Sequence, residues 1–158
     1  MTKQKIVFFD IDHTLFNTPL FKDSNLTRYS NYAEVADVLI KVKNVATIGI
    51  YSEGDLSLQT EKLTQTHISE HFLKKNIYIF DKKLEKIQEI FAHNDKNTFY
   101  LIDDRQRVLQ AVKAYNPAVH TIWIRRGIYA DEIINGFTPD KTVETLRDIL
   151  GYITKASE

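Results

Sequence analysis

Five short, uninterrupted apolar runs punctuate the chain: IVFF (6–9), VATIGIY (45–51), NIYIF (76–80), TFYLI (98–102) and VHTIWI (119–124). None alternates apolar with polar, so each reads as a strand covered on both faces, the usual condition of a parallel sheet. Between and after them, YAEVADVLIKV (32–42), DLSLQTEKLTQTHI (55–68), KLEKIQEIFAHN (83–94) and RVLQAVKAY (107–115) repeat their apolar residues at helical spacing. A last segment, PDKTVETLRDIL (139–150), opens on Pro139 and Asp140, a helix-start signal ahead of an amphipathic run. Strands and helices in alternation predict an α/β fold with a central, mainly parallel five-stranded sheet.

With 158 residues the chain is expected to form one domain, spanning 1–158, and 43% apolar residues suffice for an ordinary core. Twenty-one basic residues balance 21 acidic ones, which leaves no global attraction for nucleic acid or an anionic membrane. The absence of cysteine rules out disulfides, thiolate catalysis and Cys-based zinc sites, and it fits a reducing compartment. Lys3 and Lys5 lead straight into the first strand instead of a long apolar core, so no signal peptide is expected. No apolar stretch approaches the roughly 18 residues of a membrane span. A cytoplasmic protein is the expectation. The one long polar interval, Asn17 to Asn31, follows the first strand directly, and connections of that length are often functional.

In open parallel sheets, ligands bind outside the carboxyl ends of the strands. The first strand ends at Asp10 and Asp12, the second at Ser52, the third leads to Asp81, Lys82 and Lys83, the fourth ends at Asp103 and Asp104, and the fifth at Arg125 and Arg126. Carboxylates at the end of a buried strand are costly unless a cation or hydrogen bonds compensate them. In extended chain, residues i and i+2 face the same way about 6.5 Å apart, so Asp10 and Asp12 can address one reacting group. A phosphate ester suits this set. One carboxylate attacks phosphorus, a second moves the proton, magnesium sits among hard oxygen ligands, and a hydroxyl and a lysine cradle the phosphoryl oxygens.

Asp10-Ile11-Asp12-His13-Thr14-Leu15 resembles motif I of the haloacid dehalogenase-like (HAD) hydrolases, whose phosphatase branch carries DxDx[TV] after its first strand. Ser52 in IYSEG looks like motif II, a lysine opening the helix before the fourth strand like motif III, and Asp103-Asp104 in YLIDDR like motif IV. The resemblance spans residues 5 to about 126 and implies a Rossmann-like three-layer sandwich. It also implies roles. Asp10 would be nucleophile and metal ligand; Asp12 would be general acid/base, with its main-chain carbonyl on the metal. Ser52 and the lysine would bind phosphate, and Asp104, supported by Asp103, would complete a Mg2+ site. Lys83, just before the apolar series Leu84, Ile87 and Phe91, best suits the motif III position, with Lys82 and Lys86 as alternatives. Dehalogenase members of the family lack the acid at the Asp12 position, which points to phosphate esters.

Each of these residues also has a plainer reading. Asp12 and Ser52 are good capping residues, and Asp103-Asp104 would suit a solvated loop beside Arg105 or Arg107, where a surface pair stabilises little. His13 is left outside the site. Phe16, Phe21, Tyr29 and Tyr32 either line an entrance or pack on the body of the protein; Arg125-Arg126 reach an anionic substrate or face solvent; Trp123 reads as core.

About 15 residues separate motif I from the first helix, enough for a flap over 15–31 and too few for a globular cap. An open site offers few specificity contacts, so the phosphorylated substrate is either a small molecule or a macromolecule. The expected activity is a magnesium-dependent phosphomonoester hydrolase working through an aspartyl-phosphate. The competing classes are a non-catalytic or regulatory binding protein of the same fold and a phosphotransferase to an acceptor other than water.

Overall fold

The computed structural model describes residues 2–155; the outermost residues of the expected 1–158 domain lie outside them. Six strands form one wholly parallel sheet: β1 (Gln4–Phe9), β2 (Thr47–Glu53), β3 (Ile77–Phe80), β4 (Asn97–Asp103), β5 (His120–Ile124) and β6 (Lys141–Val143), in the order β3-β2-β1-β4-β5-β6. The five predicted apolar runs supply β1 to β5. Along β1 the side chains alternate between two cores. Val7 and Phe9 enter one, with Val38 and Leu39 of α2 (Val35–Lys43), Leu63 of α3 (Leu56–Gln65) and Ile153 of α6 (Ile149–Lys155). Phe8 enters the other, with Phe91 of α4 (Ile87–Phe91) and Leu109 and Val112 of α5 (Gln106–Tyr115). Each such apolar side chain contributes about 1.5–3 kcal/mol on full burial, and the result is a three-layer α/β/α sandwich.

Two predicted helices differ from the structure. The segment 139–150 is not one helix: Lys141–Val143 pairs beside β5 as β6, a short 3-10 turn covers Leu146–Asp148, and α6 begins only at Ile149. Asp140 is the reason. Its carboxylate accepts from Thr121 N (2.8 Å), Thr121 Oγ1 (3.1 Å) and Lys113 Nζ (2.8 Å), which pins the chain to β5 and prevents it from capping a helix. The segment 83–94 is a 3-10 turn over Lys83–Lys86 followed by the short α4, because Lys83 turns inward instead of lying on a solvent face.

The interval after β1 holds a short helix, α1 (Thr18–Asp23), with Pro19 in its first turn and Asn17 Oδ1 accepting from Leu20 N. Phe16, Phe21 and Tyr29 pack edge to face or tilted, with centroids 4.8–6.2 Å apart, so these aromatics anchor the flap to the body. No globular cap domain stands among the described residues, and no helix among them is long and apolar enough to cross a membrane.

Candidate active site

The strand order reverses at β1, which has β2 on one side and β4 on the other, and this crevice is where open α/β sheets receive ligands. Register does the rest. Phe9 pairs with Ile102, and Asp10 N donates to Ile102 O (3.0 Å), so the residues that follow, Asp10 and Asp103-Asp104, emerge side by side.

Lys83 reaches into them from the 3-10 turn after β3. Its ammonium is buried and donates to Asp10 Oδ1 (3.1 Å), Asp103 Oδ2 (2.7 Å) and Tyr51 O (3.2 Å). The Tyr51 hydroxyl returns a hydrogen bond to Lys83 O, and Glu53 Oε2 accepts from Lys83 N (3.1 Å), so both neighbours hold the turn in place. Lys86, by contrast, is exposed beside Glu89, and Lys82 is exposed. Burial opposes the charge on Lys83, but Asp10 and Asp103 outweigh it and raise its proton affinity.

One lysine faces three carboxylates. Oxygens of Asp10, Asp103 and Asp104 lie within 4.8 Å of one another. Asp103 is spoken for, since its second oxygen accepts from Arg105 N (2.8 Å). Asp104 Oδ2 is buried with no hydrogen-bond partner. Burial first, then repulsion from neighbouring carboxylates, raises both Asp10 and Asp104 above the ordinary aspartate range. An excess of buried negative charge made of hard oxygen donors, one of them unpartnered, fits a magnesium ion. Asp10 and Asp104 would hold it, with Asp103 fixing Lys83 beside them.

Asp12 belongs to a different network. Its Oδ1 accepts from Lys62 Nζ (2.8 Å) and Thr18 Oγ1 (3.0 Å), and its Oδ2 from Gln59 Nε2 (3.1 Å). Burial pushes this carboxyl up, but the Lys62 charge and these hydrogen bonds outweigh it and hold Asp12 below its usual range. Lys62, Gln59 and Thr18 escaped the sequence reading. Two of them, Gln59 and Lys62, are buried on α3, where the apolar spacing singles out the leucines and not these polar side chains.

Ser52 is not brought to the cavity surface. Its side chain is wholly buried and its Oγ accepts from Gln59 Nε2 (3.1 Å). His13, left out on sequence, lines the cavity and sits at a φ of 61° with its Nδ1 buried and unpartnered. Arg126 neither faces solvent nor reaches the cavity. It donates through Nε to His13 O (3.3 Å), through Nη2 to Thr14 O and through Nη1 to Glu34 Oε2 (2.6 Å), with its guanidinium 3.6 Å from the Tyr32 ring centroid. Gly127 follows at φ 79°, where a Cβ would collide with the His13 imidazole. Trp123 is core, as read, and its Nε1 also donates to Asp104 O (2.9 Å).

The fold is that of the haloacid dehalogenase-like hydrolases. A protein of Burkholderia xenovorans LB400, by name a haloacid dehalogenase-like hydrolase, is similar over 97% of this chain and 98% of its own at 17% identity, with a TM-score of 0.81. The HAD-hydrolase YfnB of Bacillus subtilis, in a magnesium-bound form, gives a TM-score of 0.75 at 11% identity over 96% of this chain and 99% of its own. A predicted phosphoglycolate phosphatase from Haemophilus somnus 129PT gives 0.73 at 14% identity over 97% and 99%. L-2-haloacid dehalogenases share the fold as well. No protein-family model and no curated protein sequence matches the chain.

Proposed function

We propose that the protein is a phosphomonoester hydrolase that uses Mg2+ and passes through an aspartyl-phosphate on Asp10, working in the cytoplasm. The observation that carries the reading is the overloaded carboxylate cluster of Asp10, Asp103 and Asp104 around a single buried lysine, with Asp12 separately anchored two residues on. The magnesium-bound relative and the phosphatase among the similar structures support it.

In this reading Asp10 attacks phosphorus, the bond from phosphorus to the alcohol oxygen breaks, and Asp12 gives its proton to that oxygen. Water then attacks the aspartyl-phosphate, Asp12 takes the proton from it, and inorganic phosphate leaves with Asp10 restored. Asp12 rests ionised against Lys62, ready for the second half; for the first half it takes up a proton from solvent as the phosphate dianion approaches and raises its proton affinity. Lys83 orients Asp10 and offers positive charge to the phosphoryl oxygens, and Ser52 joins them once the Gln59 amide turns off its hydroxyl. Bound magnesium would neutralise charge between Asp10 and the incoming phosphate.

The test is phosphate release from 4-nitrophenyl phosphate with and without magnesium, in wild type and Asp10→Asn. Turnover that requires magnesium and falls at least about 10³-fold in the variant is expected. Turnover indifferent to Asp10 would refute the assignment.

A further inference from the structure

The carboxylates form the floor of a cavity of about 300 Å³ whose mouth is apolar. That volume is at the small end of ligand sites. Three of the nine large apolar side chains left exposed among the described residues converge on this mouth: Leu26 (57% exposed), Leu58 (37%) and Ile128 (69%). They come from three separate places, the loop after α1, the first turn of α3 and the 3-10 turn after β5. Neighbouring Phe21 and Tyr129 continue the apolar wall.

Leu26 carries a second, independent sign. Its φ is 63°, next to Asn25 at 58°, and its N–H donates to Phe21 O (2.8 Å) to close α1. Glycine or asparagine takes that left-handed position at least cost. A leucine there is strained, and its exposed side chain adds little to the core. Strain and exposed apolar surface at the rim of one cavity point to a ligand. The nearby charged groups on the wall do not compete for it: Arg105 faces Glu53 (3.9 Å) and lies 4.9 Å from the Tyr129 ring centroid, while Lys22 adds positive charge that draws in a phosphate.

Resting on the hydrolase reading, we infer that the alcohol portion of the substrate is a compact apolar group, about one ring in size, seated between Leu26, Leu58 and Ile128 above the carboxylate floor. The site selects small apolar phosphomonoesters over sugar phosphates, polyol phosphates and phosphorylated macromolecules.

Two measurements separate this inference from the reading it rests on. The first compares kcat/KM, with magnesium, for benzyl phosphate, glycerol 3-phosphate, ribose 5-phosphate and a phosphoserine peptide. All leave as primary alkoxides, so leaving-group acidity does not decide the ranking. The second measures binding of benzylphosphonate against methylphosphonate by calorimetry, which needs no turnover. Benzyl phosphate is expected to lead by about tenfold or more, and benzylphosphonate to bind tighter by a similar factor. Leu58→Ser and Ile128→Ser should each cut both advantages severalfold, whereas Leu73→Ser, at an exposed apolar residue outside the cavity, should leave them intact. Equal binding of the two phosphonates, advantages untouched by the rim variants, or preferred hydrolysis of the peptide or the sugar phosphate would overturn the inference. Tighter benzylphosphonate binding without any phosphate release would leave the apolar seat standing and sink the hydrolase reading.

Discussion

Two buried ionic clusters lie at the same edge of the sheet and are built on opposite principles. In one, Lys83 faces Asp10, Asp103 and Asp104, and the carboxylates outnumber the cation. In the other, Arg126 meets Glu34 one to one, and Glu34 Oε2 also accepts from Thr145 Oγ1 (2.9 Å) and Leu146 N (3.1 Å). The proton affinities follow the balance. Burial and repulsion from neighbouring carboxylates raise Asp10 and Asp104 against the pull of Lys83, whereas burial raises Glu34 but backbone donors and Arg126 more than reverse it. A satisfied pair has done its work once the chain is folded: the Arg126–Glu34 pair ties the loop after β1 to the end of β5 and the start of the 3-10 turn before α6. An unsatisfied cluster with excess negative charge retains capacity for a cation. Burial alone does not separate function from structure here; the charge count does.

The contrast is tested most severely by removing a cation. Lys83→Met strands two hydrogen-bonded carboxylates beside a third, and breaking a buried pair from one side costs about 3–5 kcal/mol. We expect a loss near the lower end in chemical denaturation without metal, because the carboxylates can protonate, and a partial recovery on adding magnesium. A variant as stable as wild type in metal-free buffer would contradict the picture of Lys83 as the counter-charge of the Asp10–Asp103 pair.

Glu34→Ala strikes the balanced pair. Arg126 keeps two carbonyl acceptors and the Tyr32 face, so the expected loss is smaller, about 2–3 kcal/mol. It should not depend on magnesium, and that indifference is the distinguishing readout.

Asp104→Asn should go the other way. Replacing a buried carboxyl whose Oδ2 has no hydrogen-bond partner and which Asp10 and Asp103 repel should stabilise the metal-free protein by about 1 kcal/mol. The same change should remove the magnesium-induced rise in Tm expected of wild type. Metal-induced stabilisation that survives in the variant would take Asp104 out of the metal site.

The two clusters were unequally legible in the sequence. Asp10, Asp12, Ser52, Lys83, Asp103 and Asp104 stand at strand ends or at a helix start, where an apolar run that stops at a polar residue marks them. Arg126 carries the same mark at the end of the fifth run, but nothing in the sequence shows that it turns to Glu34; Glu34, Lys62 and Gln59 carry no mark at all. Lys62 meets Asp12 across 50 positions and Arg126 meets Glu34 across 92, so only the fold makes them neighbours. β6 was hidden for a related reason: three residues are too few to show a period, and Asp140, read as a helix start, spends its carboxylate on Thr121 and Lys113. The five longer strands had no such competitor, since continuous apolar runs already specify a sheet covered on both faces.

The smallest effect is the pH dependence of the balanced pair, and its sign is fixed by the depressed proton affinity of Glu34. A carboxylate that holds its proton less tightly folded than unfolded contributes stability above its ordinary range, and loses it as pH falls through the folded value. Wild type should therefore shed the Glu34 contribution on acidification below the usual glutamate range. Glu34→Gln keeps a side-chain oxygen toward Arg126 but has no proton to bind. Its stability deficit should be largest near neutrality and should shrink as the pH drops, measured as the difference in urea midpoint at matched pH. The overloaded cluster predicts the reverse slope, because Asp10 and Asp104 gain protons more readily folded than unfolded and so favour the metal-free fold as pH falls. Asp104→Asn compared with wild type should therefore show an advantage that fades on acidification. Parallel pH profiles for the two variants would mean that charge balance does not distinguish these clusters.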